Sequence, residues 1–449
     1  MKIERDLMVR LTEWQASPYR KPLILKGVRQ CGKTWLLQEF GRRFFEDVAY
    51  FNFETQKKAR ALFDGDIEPK QILLQLGVFR EKQIQSHKTL IIFDEIQACP
   101  AALNALKYFC EQAPEYPIVA AGSLLGVTLA SQEGFPVGKV SFLELMPCSF
   151  TEYLRVVAPM LAEFCATLQL GPVSEALAGK LEQRLREYLV LGGMPAVLSR
   201  YIETQDLFAA DEVLQEVITA YELDFSKHAP TRDIPKLFLM WKSIPEQLAR
   251  EHAKFLYGEV RSGARAKDLE DALRWLQEAG LVYKVNNVTT PHLPLSAYED
   301  RRCFKLYMGD LGVLRKLAKL PLSALINASD VFGEFKGRLI ENFVLLQLKC
   351  AGFDPICYWT SLATAEVDFL VQDETGIVPV EVKSGLNRTA RSLRVYREKY
   401  RPELSVRASL LNLRLDAGLL NIPLYLINEF PRLLRSAASR GIMKTIRRP

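Results

Sequence analysis

This sequence predicts an α/β chain built of several domains, and three observations carry that prediction. A short apolar run, PLILKG (22–27), leads through a glycine-containing turn into the helical pattern TWLLQEFGRRF. A second apolar run, TLIIFDEIQ (89–97), has the length of a buried strand and ends in two adjacent carboxylates. Far downstream, VDFLV and VPVEV flank a polar, glycine-containing turn and read as a strand pair. Short apolar strands separated by segments of helical period are the pattern of sheets covered by helices.

At 449 residues the chain exceeds what one hydrophobic core serves, so two to four domains are expected. The opening MKIERDLMVRL carries charges where a secretory leader needs apolar residues, which points to the cytoplasm. The stretch YPIVAAGSLLGVTLA (116–130) is shorter than the ~20 residues of a spanning helix and is broken by Gly and Ser, so no membrane association is expected. Eight cysteines without a CxxC pair, and only four histidines, suggest neither a zinc site nor a disulfide framework.

Charge is uneven along the chain. The net charge is +6, yet the segment from Leu386 onward holds fourteen basic and four acidic residues, and the remainder is slightly acidic. A basic surface at one end, without a long apolar face beside it, suits nucleic acid better than a membrane. A solvated arginine-rich helix is the plainer alternative.

The turn after the first strand reads Gly27, Val28, Arg29, Gln30, Cys31, Gly32, Lys33, Thr34, which is G-x-x-x-x-G-K-T between strand and helix. The glycines let backbone N–H groups cradle phosphates, and the helix starting near Lys33 adds its positive end. Lys33 is expected to reach the β- and γ-phosphates of ATP, and the Thr34 hydroxyl to ligate Mg²⁺. Cys31 offers a modifiable thiol, although the motif does not require a cysteine there. At the end of the second strand Asp94 is expected to hold the Mg²⁺ and its water shell, and Glu95 to orient and deprotonate the attacking water. A further core strand in PIVAAGSLL (117–125) ends in Ser123, placed to touch the γ-phosphate or that water.

GVRQCGKTWLL, LIIFDEIQ, AAGSLLG, VGKVSFLELMPCSFTEYL, YLVLGGMPAVL and FKLYMGDLGVLRKL together resemble a prokaryotic AAA+-type ATPase family along essentially the full chain. The resemblance implies an ATPase core over residues 1–150, a helical lid over 151–230, and a C-terminal domain of unknown function. A homo-oligomer is compatible with it, whereas a protein partner is not specified. Relatives usually carry Gly-Arg where Gly138 and Lys139 stand, so a transition-state role for this cation is weaker here. Arg29 and an arginine from a neighbouring subunit are the other candidates. Residues 231–295 run through short helical patterns into GLVYKVNNV, the order of a winged helix. Its would-be reading helix, KDLEDALRWLQEAG (267–280), is acidic and so suits packing better than base recognition.

Within the C-terminal strand pair, Asp368, Glu381 and Lys383 interrupt apolar runs, and Glu381 and Lys383 share one face. Upstream, EFKGRLIENFVLLQLK (334–349) reads as an amphipathic helix bearing Glu341. This combination resembles the PD-(D/E)XK nuclease core, most closely archaeal Holliday-junction resolvases, with Val367 in place of the proline that names the motif. The resemblance implies a restriction-endonuclease-like α/β domain over 296–449. Asp368, Glu381 and Glu341 would bind Mg²⁺ there, and Lys383 would position or activate water. A metal-free ion-pair cluster, or a nuclease-like fold that only binds nucleic acid or a protein partner, remains open on the same residues.

Overall fold

The computed structural model describes residues 2–65, 68–122, 138–250, 254–322, 333–361, 365–373, 376–385 and 391–446. The chain divides into two compact units, one of Glu4–Pro147 with Arg274–Leu281, the other of Met1–Ile3, Cys148–Leu273 and Val282–Pro449.

The first unit is built on strands β1 (Leu23–Lys26), β2 (Asp47–Asn52), β3 (Thr89–Asp94), β4 (Ile118–Ala121) and β5 (Ser141–Glu144). They form one sheet in the order β2-β3-β4-β1-β5, and every adjacent pair is parallel. Parallel neighbours need crossovers; α1 (Leu7–Ala16) precedes β1, and the crossovers from β1 through β4 are supplied by α2 (Lys33–Phe44), α3 (Pro69–Phe79) and α4 (Pro100–Gln112), with intervening loops and short turns. β3 lies inside the sheet and is buried at all six positions, which explains why TLIIFD carries no alternation. Phe53, Phe63 and Phe93 meet at 5.4–5.6 Å between ring centroids and form the aromatic centre of this core. Because all strands run the same way, the loops after β1 and β3 open at one edge of the sheet, where ligands of such sheets bind.

Beyond residue 147 come helices α5 (Phe150–Val157), α6 (Pro159–Thr167), α7 (Glu175–Leu191), α8 (Pro195–Thr204), α9 (Leu207–His228), α10 (Ile234–Leu248) and α11 (Ala266–Glu278). α5 starts on a capping box: Ser149 Oγ accepts the Glu152 N–H at 3.2 Å, and Glu152 accepts the Ser149 N–H at 2.9 Å. The motifs YLVLGGM and YMGDLG then meet. Asp310 caps α12 (Leu311–Leu317) by accepting the Val313 N–H at 3.0 Å, and it accepts the Gly193 N–H at 2.6 Å. A β-carbon on Gly192, at φ +76°, would lie 2.4 Å from the Asp310 carboxylate, so the close approach requires glycine.

Strands β6 (Val282–Val288), β7 (Asp300–Met308), β8 (Ile356–Thr360), β9 (Glu366–Asp373), β10 (Gly376–Val382), β11 (Ser405–Ser409), β12 (Arg414–Asp416) and β13 (Leu419–Pro423) form a mixed sheet in the order β12-β13-β11-β10-β9-β8-β6-β7. The expected hairpin is present as antiparallel β9 and β10. GLVYKVNNV, expected as the strand pair of a wing, is instead the single strand β6, which pairs antiparallel with β7 and continues the sheet in parallel with β8. Strands on either side of residue 295 therefore belong to one sheet, whereas the sequence reading divided the chain there.

α13 (Gly333–Cys350) also departs from expectation. Residues 339–348 are buried at every position, so this segment is enclosed by the unit and not amphipathic. Its polar residues are each bonded. Asn342 Oδ1 accepts the Met308 N–H at 2.9 Å while its Nδ2 donates to the Met308 carbonyl at 3.0 Å, and Gln347 Oε1 accepts the Phe150 N–H at 3.0 Å. The remaining described helices are α14 (Arg391–Tyr400) and α15 (Phe430–Ile446), apart from single turns.

Candidate nucleotide site and a buried carboxylate cluster

The phosphate-loop residues fold as the sequence predicts. Gly32, at φ +95°, turns the chain into α2 at Lys33. A β-carbon on Gly27 would stand 2.4 Å from the Leu145 carbonyl, so the loop passes too close to β5 for any side chain. Lys33 Nζ donates to the Gly27 and Val28 carbonyls at 2.8 and 2.9 Å, folded onto its own loop. Arg5 Nη1 donates to the Cys31 carbonyl at 2.8 Å and Nη2 to the Met146 carbonyl at 2.5 Å, tying the loop to the chain beyond β5. Cys31 is fully buried, which corrects its reading as an accessible thiol.

Thr34 Oγ1 donates to Asp94 Oδ2 at 2.8 Å, and the Tyr50 hydroxyl donates to the same oxygen at 2.7 Å. Burial and the neighbouring Asp94 carboxylate push the Tyr50 phenol up to about 12, so it stays a donor. The two groups expected to hold Mg²⁺ are thus brought together. A hydroxyl and a carboxylate beside a glycine cradle suit a phosphate-bound divalent cation. Asp94 Oδ1 accepts the Glu95 N–H at 3.1 Å, Glu95 turns left-handed at φ +49°, and its Oε2 accepts from Gln97 Nε2 at 2.5 Å. A non-glycine residue in that conformation costs of order 1 kcal/mol or more, a local strain often found at working sites. Lys139 pairs with Glu111 at 2.9 Å. Ser123 lies outside the described residues.

In the second unit Asp368, Glu381, Lys383 and Glu341 converge, with partners that sequence reasoning missed. Lys305, with no exposed side-chain surface, sits 3.1 Å from Glu341 and 2.6 Å from Glu366. Arg338 reaches Glu341 at 2.8 Å, and the Tyr307 hydroxyl donates to the same carboxylate. Burial alone would raise the Glu341 pKa, but Lys305 and Arg338 outweigh it and hold the carboxyl down to about 2. Lys383 pairs with Glu381 at 2.6 Å, and Asp368 Oδ2 accepts the Val382 N–H at 2.7 Å. Desolvation, with repulsion from Glu381 and Glu341, raises the Asp368 carboxyl well above its ordinary value. Burial raises Glu381 as well, partly opposed by Lys383.

Glu341, expected as a metal ligand, is thus paired with cations in this structure. Both its oxygens are held by cations, and among the described residues no three His, Cys, Asp or Glu side chains are arranged to hold a metal ion. Asp368 and Glu381 remain as a two-carboxylate pair. Glu381 Oε2 is buried with no hydrogen-bond partner, an orphan oxygen that a cation or water would satisfy. Mg²⁺ commonly takes one or two carboxylates and fills its shell with water and substrate phosphate, so this pair fits it. Lys305 was detectable in principle as a lone cation in the apolar run FKLYM, but its two carboxylate partners lie 36 and 61 residues away.

Residues 19–154 match the sequence model of an AAA domain. The first unit therefore carries a region similar to AAA domains, on a parallel sheet of the kind P-loop ATPases have. Residues 182–324 match a domain of unknown function, DUF8612, and 336–427 another, DUF4143. An uncharacterized protein of Methanocaldococcus jannaschii is 24% identical over 405 residues, covering 88% of this chain and 80% of its own. Among solved structures, a Walker-type ATPase of Pyrococcus abyssi aligns with 71% of this chain and 96% of its own, at 15% identity and a TM-score of 0.44. The ORC1 protein of Aeropyrum pernix, solved in complex with DNA, aligns with 72% of this chain and 95% of its own, at 14% identity and a TM-score of 0.30. Among the described residues no helix is long and apolar enough to cross a membrane.

Proposed function

We propose that this chain hydrolyses ATP at the phosphate loop and that its nucleotide state governs a nuclease-like C-terminal domain acting on nucleic acid. The observation that carries the ATPase reading is the Thr34–Asp94 hydrogen bond at 2.8 Å, with Glu95 next along the strand and Lys33 at the start of the same loop helix. Lys33 exchanges its two loop carbonyls for the β- and γ-phosphates of ATP. Thr34 and Asp94 hold Mg²⁺, which supplies neutralising charge for the transferred phosphoryl group. Glu95 takes the proton of the attacking water once Gln97 releases it. Steady-state ATP turnover tests this. Lys33→Ala loses tight ATP binding, whereas Glu95→Gln binds ATP and turns over ~10²–10⁴-fold more slowly. Wild-type turnover by Glu95→Gln removes that residue from the mechanism.

For the C-terminal domain, the orphan Glu381 Oε2 beside Asp368 supports a divalent-cation site, with Lys383 positioned to orient water for phosphodiester hydrolysis. Incubation of plasmid, single-stranded DNA and RNA with Mg²⁺ or Mn²⁺, with and without ATP, tests cutting. The second reading, a metal-free scaffold that only binds nucleic acid or a protein, is favoured by the full engagement of Glu341 with Lys305, Arg338 and Tyr307. Inert wild type on every substrate, with melting unmoved by Mg²⁺, selects that reading.

A further inference from the structure

The face of the sheet that carries Asp368 and Glu381 continues beyond the motif. Arg407 on β11 stands directly opposite Glu381 on β10, and Asn421 on β13 directly opposite Arg407. Residues opposite each other on neighbouring strands project to the same face, and the strands lie about 4.8 Å apart. An arginine and a glutamate so placed ordinarily pair. Here Glu381 gives Oε1 to Lys383, while its Oε2 and the Arg407 Nε are both buried without a hydrogen-bond partner. Two facing groups of opposite sign, each with one buried atom left without a partner, suit a ligand that presents positive charge to one and oxygen to the other. A phosphate carrying a divalent cation does so, since the cation takes the carboxylate and a phosphate oxygen takes the guanidinium. Glu381 lies between Asp368 on β9 and Arg407 on β11, so cation and phosphate would occupy successive places along one row of side chains.

We propose that Arg407 binds the phosphodiester of a nucleic-acid substrate at the Asp368–Glu381 site. The proposal rests on the nuclease-like reading and adds to it a residue on β11, a strand that carries none of Asp368, Glu381 and Lys383. Arginine suits the role because its planar fork holds two phosphate oxygens at once, which lysine cannot do.

The test is equilibrium binding of fluorescent single-stranded DNA and RNA oligonucleotides to the full chain, by anisotropy with Ca²⁺, across a series of salt concentrations. Arg407→Met is expected to weaken binding roughly ten- to a hundredfold and to lower the salt slope by about one phosphate contact, with Arg407→Lys in between. The shift in melting temperature on adding Mg²⁺ is expected to persist in both variants, because the carboxylates are untouched. If Arg407→Met proves unstable, a loss of affinity in Arg407→Lys carries the same conclusion. Wild-type affinity and slope in the variants, with wild type binding well, overturns the role of Arg407 alone and leaves its Nε merely hydrated. Failure of wild type to bind either oligonucleotide overturns it together with the nuclease-like reading.

Discussion

Single side chains in this protein are held by opposed charges at short range, and that makes individual substitutions informative. Glu341 is 4% exposed and answers two cations. Removing its charge takes one of two carboxylate partners from buried Lys305 and the carboxylate partner of Arg338, so Glu341→Gln is expected to cost about 1–3 kcal/mol in urea unfolding. Replacing Lys305 by Met in the same chain is expected to cost less than the sum of the single changes, because the two side chains belong to one charge network. A milder case is Asp47, where Arg80 at 2.8 Å and Lys82 at 2.6 Å hold the carboxyl well below the usual carboxylate range, against burial. Its folded pKa is depressed, so the stabilisation is present above the unfolded value of ~3.9 and is lost as pH falls through the folded one. Asp47→Asn is therefore expected to lower the melting temperature at neutral pH, by about 1–2 kcal/mol in stability, and to converge on wild type in acid. A gap that widens below pH 4 contradicts the assignment.

At the scale of elements, α13 shows how a helix can be buried without being apolar. Asn342 pairs with both the N–H and the carbonyl of Met308 on β7, the edge strand of the sheet, so the helix completes the hydrogen bonding of that strand. Asn342→Leu keeps the branching at Cγ but leaves two buried backbone groups unpaired, with an expected loss of about 2–4 kcal/mol in denaturant unfolding. A near-neutral result means water reaches Met308. The capping box of α5 is a smaller device, and Ser149→Ala is expected to cost ~1 kcal/mol.

For the whole molecule, the asymmetry of charge is the property to test. Arg391 and Arg394 on α14 are exposed, and Arg394 makes only a 3.8 Å contact with Glu398. Arg388 falls outside the described residues. Changing the three together to Glu is expected to weaken nucleic-acid binding and flatten its salt dependence, read by titration at low and moderate salt. Unchanged affinity leaves them as ordinary surface. Asp368→Asn tests the other reach of the same unit, since it keeps shape but removes charge a hard cation needs. Cleavage and the Mg²⁺-induced melting shift are both expected to vanish while the fold survives.

The sequence by itself determined the strand, loop and helix of the candidate nucleotide site, because its parts are local. Gly27 to Thr34 is one turn, Asp94 and Glu95 are one strand end, and the strand-loop-helix context supplies the geometry that brings Thr34 to Asp94. It also determined the β9–β10 hairpin, whose turn and alternation lie within twenty residues. What only the tertiary structure decided depends on partners far apart in the chain. Glu341 read as a metal-binding carboxylate on an amphipathic helix because nothing near it announces Lys305, Tyr307 or the enclosure of residues 339–348. GLVYKVNNV read as a wing because strand signals are local, whereas it forms the single strand β6, whose pairing with β8 spans some seventy residues. Arg407 was invisible for the same reason, since its place opposite Glu381 is set by strand register, and register is fixed by packing and not by any motif.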